Sequence, residues 1–428
     1  MQSVDIAVLG LGTVGQGVVK IIQNNAGKWR HKCGASIQIK KALVRSINKK
    51  REVELPEGAV TANWQEIVSD PGIKVVVELM GGIEPAKTYI LEALHQGKTI
   101  VTANKDLLAE HGQELFEAAK EAGTDIYFEA SVGGGIPIIN PLKQSLIANN
   151  IEQVMGIING TTNFILTRMA QEGATFSEAL RQAQELGYAE ADPAADVGGF
   201  DAARKIAILA SLAFHTRIRF QDVYVEGITG ITPADLDYAK KLGYTVKLLG
   251  IAREEDNEVE VRVHPALIPQ SHPLANVNDS FNAVFVRGDA VGDAMFFGRG
   301  AGQMPTGSSV VGDIVEAARN IRLNSTGRVN CTCYEHKKIK EIGAVQAKYY
   351  LRLHVLDRPG VLASIAGIFG NHGVSLATVQ QKDFEEGFAE LVVITHKVRE
   401  RNLQDALKII KEMSITQEIA SLIRVEGS

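Results

Sequence analysis

Between Gly187 and Lys205 the chain reads GYAEADPAADVGGFDAARK, which sets Glu190, Asp192, Asp196 and Asp201 ahead of Arg204 and Lys205. Clustered carboxylates suit an ammonium group, and a nearby lysine can give charge and a proton to a developing oxyanion. Two turn signals, Asp192-Pro193 and Gly198-Gly199, interrupt the stretch before the apolar run IAILASLAF. The pattern predicts a loop entering a helix, with Asp201 near its start, where negative charge meets the positive dipole end. Asp201 and Lys205 then stand one turn apart on one face, and Arg204 points elsewhere. Spacing alone describes a solvated acidic loop with an ordinary salt bridge equally well.

The elements that must position these residues begin at the N-terminus. Val4 to Leu9 is a short apolar run leading into Gly10-Leu11-Gly12-Thr13-Val14-Gly15, and a helical pattern (Val14, Val18, Val19, Ile22) follows. This is G-x-G-x-x-G between strand and helix, the context that dinucleotide binding requires. The glycines serve the tight turn, the approach of a pyrophosphate and the packing of helix on strand. A second strand is expected at Ile37 to Val44. Where an acidic residue would hold a ribose 2′-hydroxyl stands Arg45, followed by Lys49, Lys50 and Arg51. A guanidinium there accommodates a 2′-phosphate, so NADP(H) is the preferred cofactor and NAD(H) the alternative. A basic surface turn is the competing reading, since Lys49 to Arg51 look solvated.

Further strands are expected at Val75 to Leu79, Thr99 to Val101 and Asp125 to Phe128, alternating with helices at Lys87 to Gln96 and Asp106 to Ala122. That alternation predicts a doubly wound parallel sheet whose ligands lie beyond the strand C-termini. Lys105 falls at such a strand end and is a candidate for substrate or proton handling. Glu129-Ala-Ser-Val-Gly-Gly-Gly-Ile-Pro137 follows. Its glycines expose carbonyls that, with Glu129, could hold a hard cation. A hinge into the next domain fits the same residues.

Gln153 to Met169 reads as a strand, an Asn-Gly turn and a helix opened by capping threonines. Alternating apolar positions at Tyr244 to Ile251, Val259 to Val263 and Phe281 to Gly288 predict a mostly antiparallel sheet, a plausible subunit interface. Gly298 to Ser309 is rich in small residues and precedes a helix expected at Val310 to Asn320, read as a return to the nucleotide domain.

The 428 residues exceed what one hydrophobic core organises. A net charge of −5 offers no broad basic field for nucleic acid. The N-terminus lacks a basic region before its apolar run, and no uncharged apolar run reaches the roughly 18 residues of a membrane span. Cys33, Cys331 and Cys333 offer no disulfide framework and are read as plain thiols. The expectation is a cytoplasmic protein with neither nucleic-acid nor membrane partners.

With these pieces placed, the chain resembles homoserine dehydrogenase. The resemblance rests on GLGTVG (10–15), TANK (102–105), EASVGGGIP (129–137), NGTTNFIL (159–166), the stretch 187–205 and GRGAGQMPTGSSVVGD (298–313). It covers residues 1 to about 325. It implies reduction of L-aspartate 4-semialdehyde to L-homoserine with NAD(P)H, in threonine, methionine and isoleucine biosynthesis. It further implies Lys205 as proton donor, Lys105 as an active-site lysine, and Glu190, Asp196 and Asp201 as substrate-site carboxylates. A sodium or potassium ion held by Glu129 with backbone oxygens of Val132, Gly134 and Ile136 is implied too, with cofactor contacts at Gly187 and Gly302. Which lysine delivers the proton stays open. A phosphorylating aspartate-semialdehyde dehydrogenase would need a nucleophilic cysteine, for which these three are poorly placed. An NADP-linked sensor with a silent catalytic fold is the non-enzymatic alternative.

Residues 326–347 read as a polar linker. Beyond it the expected order is strand, helix, strand, strand, helix, strand, the ferredoxin-like unit. With DRPGVLASIAGIF and NHGVSL it resembles an ACT domain, which implies an amino-acid effector, here L-threonine, with Asn371, His372 and Gly373 as candidate contacts. A purely dimerising module is the alternative. The expected organisation is therefore a Rossmann-type domain (1–138, completed by 298–325), a mixed α+β catalytic and dimerisation domain (139–297), the linker, and an ACT domain (348–428). Assembly as a homodimer or homotetramer is expected.

Overall fold

The computed structural model describes residues 3–328 and 331–427. It divides into two compact units, each discontinuous in sequence: 1–154 with 204–222 and 282–336, and 155–203 with 223–281 and 337–428. No helix among the described residues is long and apolar enough to cross a membrane.

The first unit is built on a six-stranded sheet. Its strands lie in the order Val60–Thr61, Ser36–Leu43, Ser3–Leu9, Ile73–Glu78, Thr99–Thr102 and Ile126–Tyr127, all parallel. The central strands are runs of Val, Ile and Ala buried on both faces, which fits a sheet covered on both sides. Strand order reverses between Ser3–Leu9 and Ile73–Glu78, and such a switch point opens the crevice where dinucleotides bind.

The chain returns to this unit at residue 282, ahead of the expected 298, and the helix that follows starts earlier too, at Gln303 instead of Val310, and runs to Arg322. Pro305 is tolerated in the first turn, where its missing N–H would be unpaired anyway. The small residues after it serve packing. A Cβ on Gly17 would lie 2.2 Å from the Gln303 carbonyl oxygen, and one on Gly307 would lie 3.1 Å from the carbonyl carbon of Gly17. Two helix backbones therefore touch directly, and the residues that look like a loop in sequence are the contact surface.

The second unit carries the hairpin Tyr244–Glu255 and Glu258–Pro269, turned by Asp256 and Asn257 at φ 55° and 61°. Its C-terminal part has the expected order: strand Gln346–Leu356, helix Val361–Asn371, strands Leu376–Asp383 and Phe388–Thr395, helix Glu400–Glu412 and strand Thr416–Val425. The four strands pair antiparallel, with Gln346–Leu356 between Thr416–Val425 and Phe388–Thr395. This module is not suspended on a tether. Thr416–Val425 also pairs in parallel with Glu258–Pro269, Leu267 opposite Val425, so one sheet runs through both parts.

Buried charges pin that seam. Fully buried Arg262 reaches Glu426 at 2.6 Å and Glu260 at 3.0 Å. Arg424 holds Glu400 and Glu226, both at 2.9 Å, and Arg352 holds Asp235 and Glu390, both at 3.0 Å. Within the stretch read as a linker, Lys338–Ile339 pairs with Glu258 and Val259, while residues 329 and 330 lie outside the described residues.

Candidate active site

The glycines after the first strand differ in what surrounds them. Gly10 sits at φ 98°, and a Cβ there would lie 2.8 Å from the Leu79 carbonyl oxygen. A Cβ on Gly15 would lie 2.1 Å from the Gly10 carbonyl oxygen, so helix Thr13–Asn24 can close on the strand only without one. Gly12 faces open space, with nothing within 4 Å of its would-be Cβ. That open side, at a helix N-terminus, can admit a pyrophosphate. Arg45 stands exposed beyond the second strand. Arg51, read as solvated, instead donates to the carbonyls of Ser46 (2.6 Å), Ile47 (3.1 Å) and Lys49 (2.9 Å). Its guanidinium staples the basic turn that presents Arg45.

Sequence reasoning passed over Glu78. Fully buried at the end of an apolar strand, it accepts from the amides of Met80 (2.8 Å) and Gly81 (3.2 Å) and from the Thr102 hydroxyl (2.7 Å). Asn104 completes the brace, donating to the Gly82 carbonyl at 2.7 Å while its Oδ1 caps the Leu107 amide at 3.1 Å. The loop bordering the crevice and the start of helix Lys105–Glu121 are thereby one hydrogen-bonded body. An acidic residue inside VVVEL was the signal available.

Lys105 opens that helix, and Lys205 lies on helix Phe200–Ala213. Their chain neighbours meet: Arg204 Nε stands 3.0 Å from Asp106 Oδ1, and the Arg204 guanidinium also lies over the Phe220 ring at 4.5 Å. The two helix ends that carry the lysines are thus held side by side.

In the second unit the carboxylates converge on a residue not singled out in the sequence. Asn159 Nδ2 donates to Asp196 Oδ1 (2.7 Å) and to Asp201 Oδ2 (2.9 Å). Its Oδ1 accepts from the Thr162 amide at 2.9 Å, so Asn159, and not a threonine, caps helix Gly160–Glu172. One amide group fixes two carboxylates and a helix end together. Gly187, at φ 75°, and Glu190 lie in an exposed turn, where the Glu190 carbonyl accepts from Gln184 at 3.1 Å. Asp192 shapes that turn by accepting from the Ala194 amide at 3.1 Å.

Glu129 is buried, and its carboxylate takes three consecutive amides: Ile138 (2.5 Å), Ile139 (2.8 Å) and Asn140 (2.7 Å). Burial nevertheless pushes its pKa above the usual carboxylate value. The buried carbonyls of Val132, Gly134 and Ile136 accept no backbone hydrogen bond among the described residues. Gly134, at φ 53°, comes so near Gly300 that a Cβ would lie 2.4 Å from its carbonyl oxygen. Gly302, at φ 123°, starts the helix Gln303–Arg322, and its carbonyl accepts from the Thr306 amide at 3.1 Å.

Comparison with known proteins gives the family. The family described as "Homoserine dehydrogenase, NAD binding domain" matches residues 10–129, "Homoserine dehydrogenase" matches 137–315 and "ACT domain" matches 349–414. A homoserine dehydrogenase of Bacillus subtilis is 46% identical over 430 residues, covering 100% of this chain and 99% of its own. This chain belongs to the homoserine dehydrogenase family. The solved homoserine dehydrogenase from Thiobacillus denitrificans is 42% identical with a TM-score of 0.94, over 100% of this chain and 99% of that one. A hyperthermophilic archaeal homoserine dehydrogenase in complex with NADPH is 26% identical with a TM-score of 0.62, over 74% of this chain and 98% of that one.

In the ACT module, Asn371, His372 and Gly373 end the helix Val361–Asn371. The His372 ring is engaged with the Ile368 carbonyl at 2.9 Å. The cleft of this module lies around the other end of the helix, lined by the turn Leu356–Leu362 with Gln381 and Leu391.

Proposed function

We propose that this enzyme reduces L-aspartate 4-semialdehyde with NADPH preferred over NADH, and that Lys205 protonates the alkoxide that hydride addition creates. The observation that carries the reading is the Arg204–Asp106 pair, which sets the helix ends bearing Lys205 and Lys105 beside each other. The nicotinamide, when bound, supplies the hydride. Asp196 and Asp201, oriented by Asn159, are matched to the substrate's α-ammonium. Lys105 adds positive charge for the developing oxyanion, the kind of prearranged electrostatics that lowers such barriers. Asp201 precedes Lys205 by one helical turn and so shares its face. Arg45 on its stapled turn is matched to a 2′-phosphate, and the archaeal relative solved with NADPH supports this preference.

Gly187 and Glu190 complete the substrate loop in this proposal, and Gly302 the cofactor cradle. The buried carbonyls of Val132, Gly134 and Ile136 with Glu129 fit sodium or potassium, an all-oxygen donor set with a single carboxylate. The ion would hold the loop to Gly300 while the amides of residues 138–140 fix Glu129. The ACT module supports an amino-acid effector, L-threonine, at Asn371 to Gly373 or at the cleft around residues 356–362. Strand Gly292–Arg299 leaves Met295 and Phe297 41% and 54% exposed, which supports assembly through a second copy.

The deciding experiment follows NADPH and NADH absorbance on addition of aspartate semialdehyde, with and without threonine. Oxidation of NADPH several times more efficient than that of NADH is expected. No loss of absorbance with either nucleotide at any pH would favour the sensor.

A further inference from the structure

Within the first unit a narrow cleft is bordered by both lysine-bearing helices, Leu108 and Phe116 from one and Ile208 and Leu212 from the other. Its remaining wall includes Cys331 and Cys333. In an extended segment, residues two apart face the same side, so both thiols can open onto one cleft. Arg217 Nη2 lies 3.0 Å from Cys331 Sγ, and the same sulfur accepts from the thiol and the backbone amide of Cys333. Cys333 Sγ lies 3.6 Å from the Ser211 carbonyl oxygen. The segment is pinned on its far side, where the Glu335 amide donates to His215 at 2.8 Å and the Tyr334 ring stacks on His215 at 4.7 Å.

We propose that Cys331 and Cys333 form a modification site for low-molecular-weight disulfides, with Cys331 as the attacking thiol and Cys333 as the resolving one. The Cys331 thiolate attacks one sulfur of the reagent, forming a mixed disulfide and expelling the other half as a thiolate. Cys333 then gives up its proton to solvent and attacks the Cys331 sulfur. A Cys331–Cys333 bond forms, and the second half of the reagent leaves as a thiolate. The protein dithiol is oxidised by two electrons and the reagent reduced to two thiols.

The asymmetry between the sulfurs favours this order. Hydrogen bonding from Cys333 and the Arg217 charge outweigh burial and hold the Cys331 thiol below its usual value. The same contact and burial push Cys333 up. Thiolate is the attacking species, so Cys331 reacts first, and Cys333 becomes available once Cys331 is capped. A ring closed over so short a span is strained, which makes the disulfide readily reducible. Cys33 is separate, buried with its sulfur 3.2 Å from the Trp29 carbonyl oxygen.

The test treats the full chain with glutathione disulfide, quenches with a maleimide and reads intact mass and peptide maps. The wild type is expected to lose two alkylatable thiols with no retained glutathione. Cys333→Ser should keep one glutathione on Cys331, and Cys331→Ser should react at least ~10-fold more slowly, as loss of the thiolate dictates. A stable adduct on the wild type without closure would overturn the proposal, as would equal rates for the two serine variants. Arg217→Ala should move the pH dependence of Cys331 alkylation upward while Arg217→Lys retains most of it; an unmoved profile removes the guanidinium from the site.

Discussion

Arg204 Nε and Asp106 Oδ1 stand 3.0 Å apart, and each belongs to the chain neighbour of a candidate active-site lysine. The contact is partly exposed, so its direct contribution to stability is small, of the order of 1 kcal/mol or less. Its consequence is positional. An ångström of displacement at a reacting group can cost about 100-fold in rate. Arg204→Ala is therefore expected to lower kcat by roughly 10-fold or more with little change in NADPH affinity and in melting temperature, measured by steady-state kinetics, nucleotide titration and calorimetry. Lys205→Ala should cost at least ~100-fold in kcat, the range of lost acid–base catalysis. If Lys105→Ala alone shows that loss, the proton donor is Lys105.

Asn159 carries a different prediction, because its amide feeds two carboxylates at once. Asn159→Ala removes both donors and the cap on helix Gly160–Glu172, whose loss alone is worth about 1 kcal/mol. Asn159→Ser keeps a capping oxygen and removes the amide donors. If the asparagine orients the ammonium site, the serine variant should raise KM for the semialdehyde by roughly 10-fold with a near-normal melting temperature. A KM unchanged in the serine variant would reduce Asn159 to a helix cap.

The site was legible in sequence where chemistry depends on residue type and local spacing, and illegible where it depends on contacts made across the chain. Gly10 and Gly15 could be placed because the turn and the close helix packing that they allow follow from a position between one strand and one helix. Glu78 and Asn159 could not, since their partners lie 24 and 42 residues away. The helix from Gln303 was placed too late for the same reason. Gly307 disfavours a helix by propensity, and only the contact with Gly17 explains its presence. Likewise the C-terminal module's fold was readable from its own pattern, whereas its continuity with Glu258–Pro269 was not.

Arg45 and Arg51 separate by function in a third prediction. Arg45→Ala should weaken NADPH binding by roughly 10-fold or more while leaving NADH nearly unchanged, as loss of a charged hydrogen-bond partner to a phosphate implies. Arg51→Ala frees three carbonyls of the turn and should weaken both nucleotides. Equal losses for both nucleotides in Arg45→Ala would refute the 2′-phosphate contact.

The seam between the catalytic sheet and the ACT module gives a prediction in pH. Burial opposes ionisation of Glu426, and the guanidiniums of Arg262 and Arg253 overcome it, taking its pKa from 4.5 to about 2. A carboxylate whose folded pKa is depressed contributes stability that is complete above its unfolded value and disappears as pH falls through the folded one. Glu426 should therefore support the fold above pH 4.5 and lose that contribution between about 4.5 and 2. Glu426→Gln leaves buried Arg262 with Glu260 as its remaining anion, a change expected to cost roughly 3 kcal/mol at neutral pH. Melting temperature followed downward from pH 6 should fall steeply in the wild type and less steeply in the variant, the two curves converging near pH 2. Parallel curves would show that acid sensitivity arises elsewhere. The same charges bear on truncation: cutting the chain after about residue 325 removes Glu426 and uncovers the edge of Glu258–Pro269 with its buried Arg262 and His264. The truncated chain should then lose solubility or melting temperature, whereas one as stable as the whole would show that the seam contributes little to the catalytic sheet.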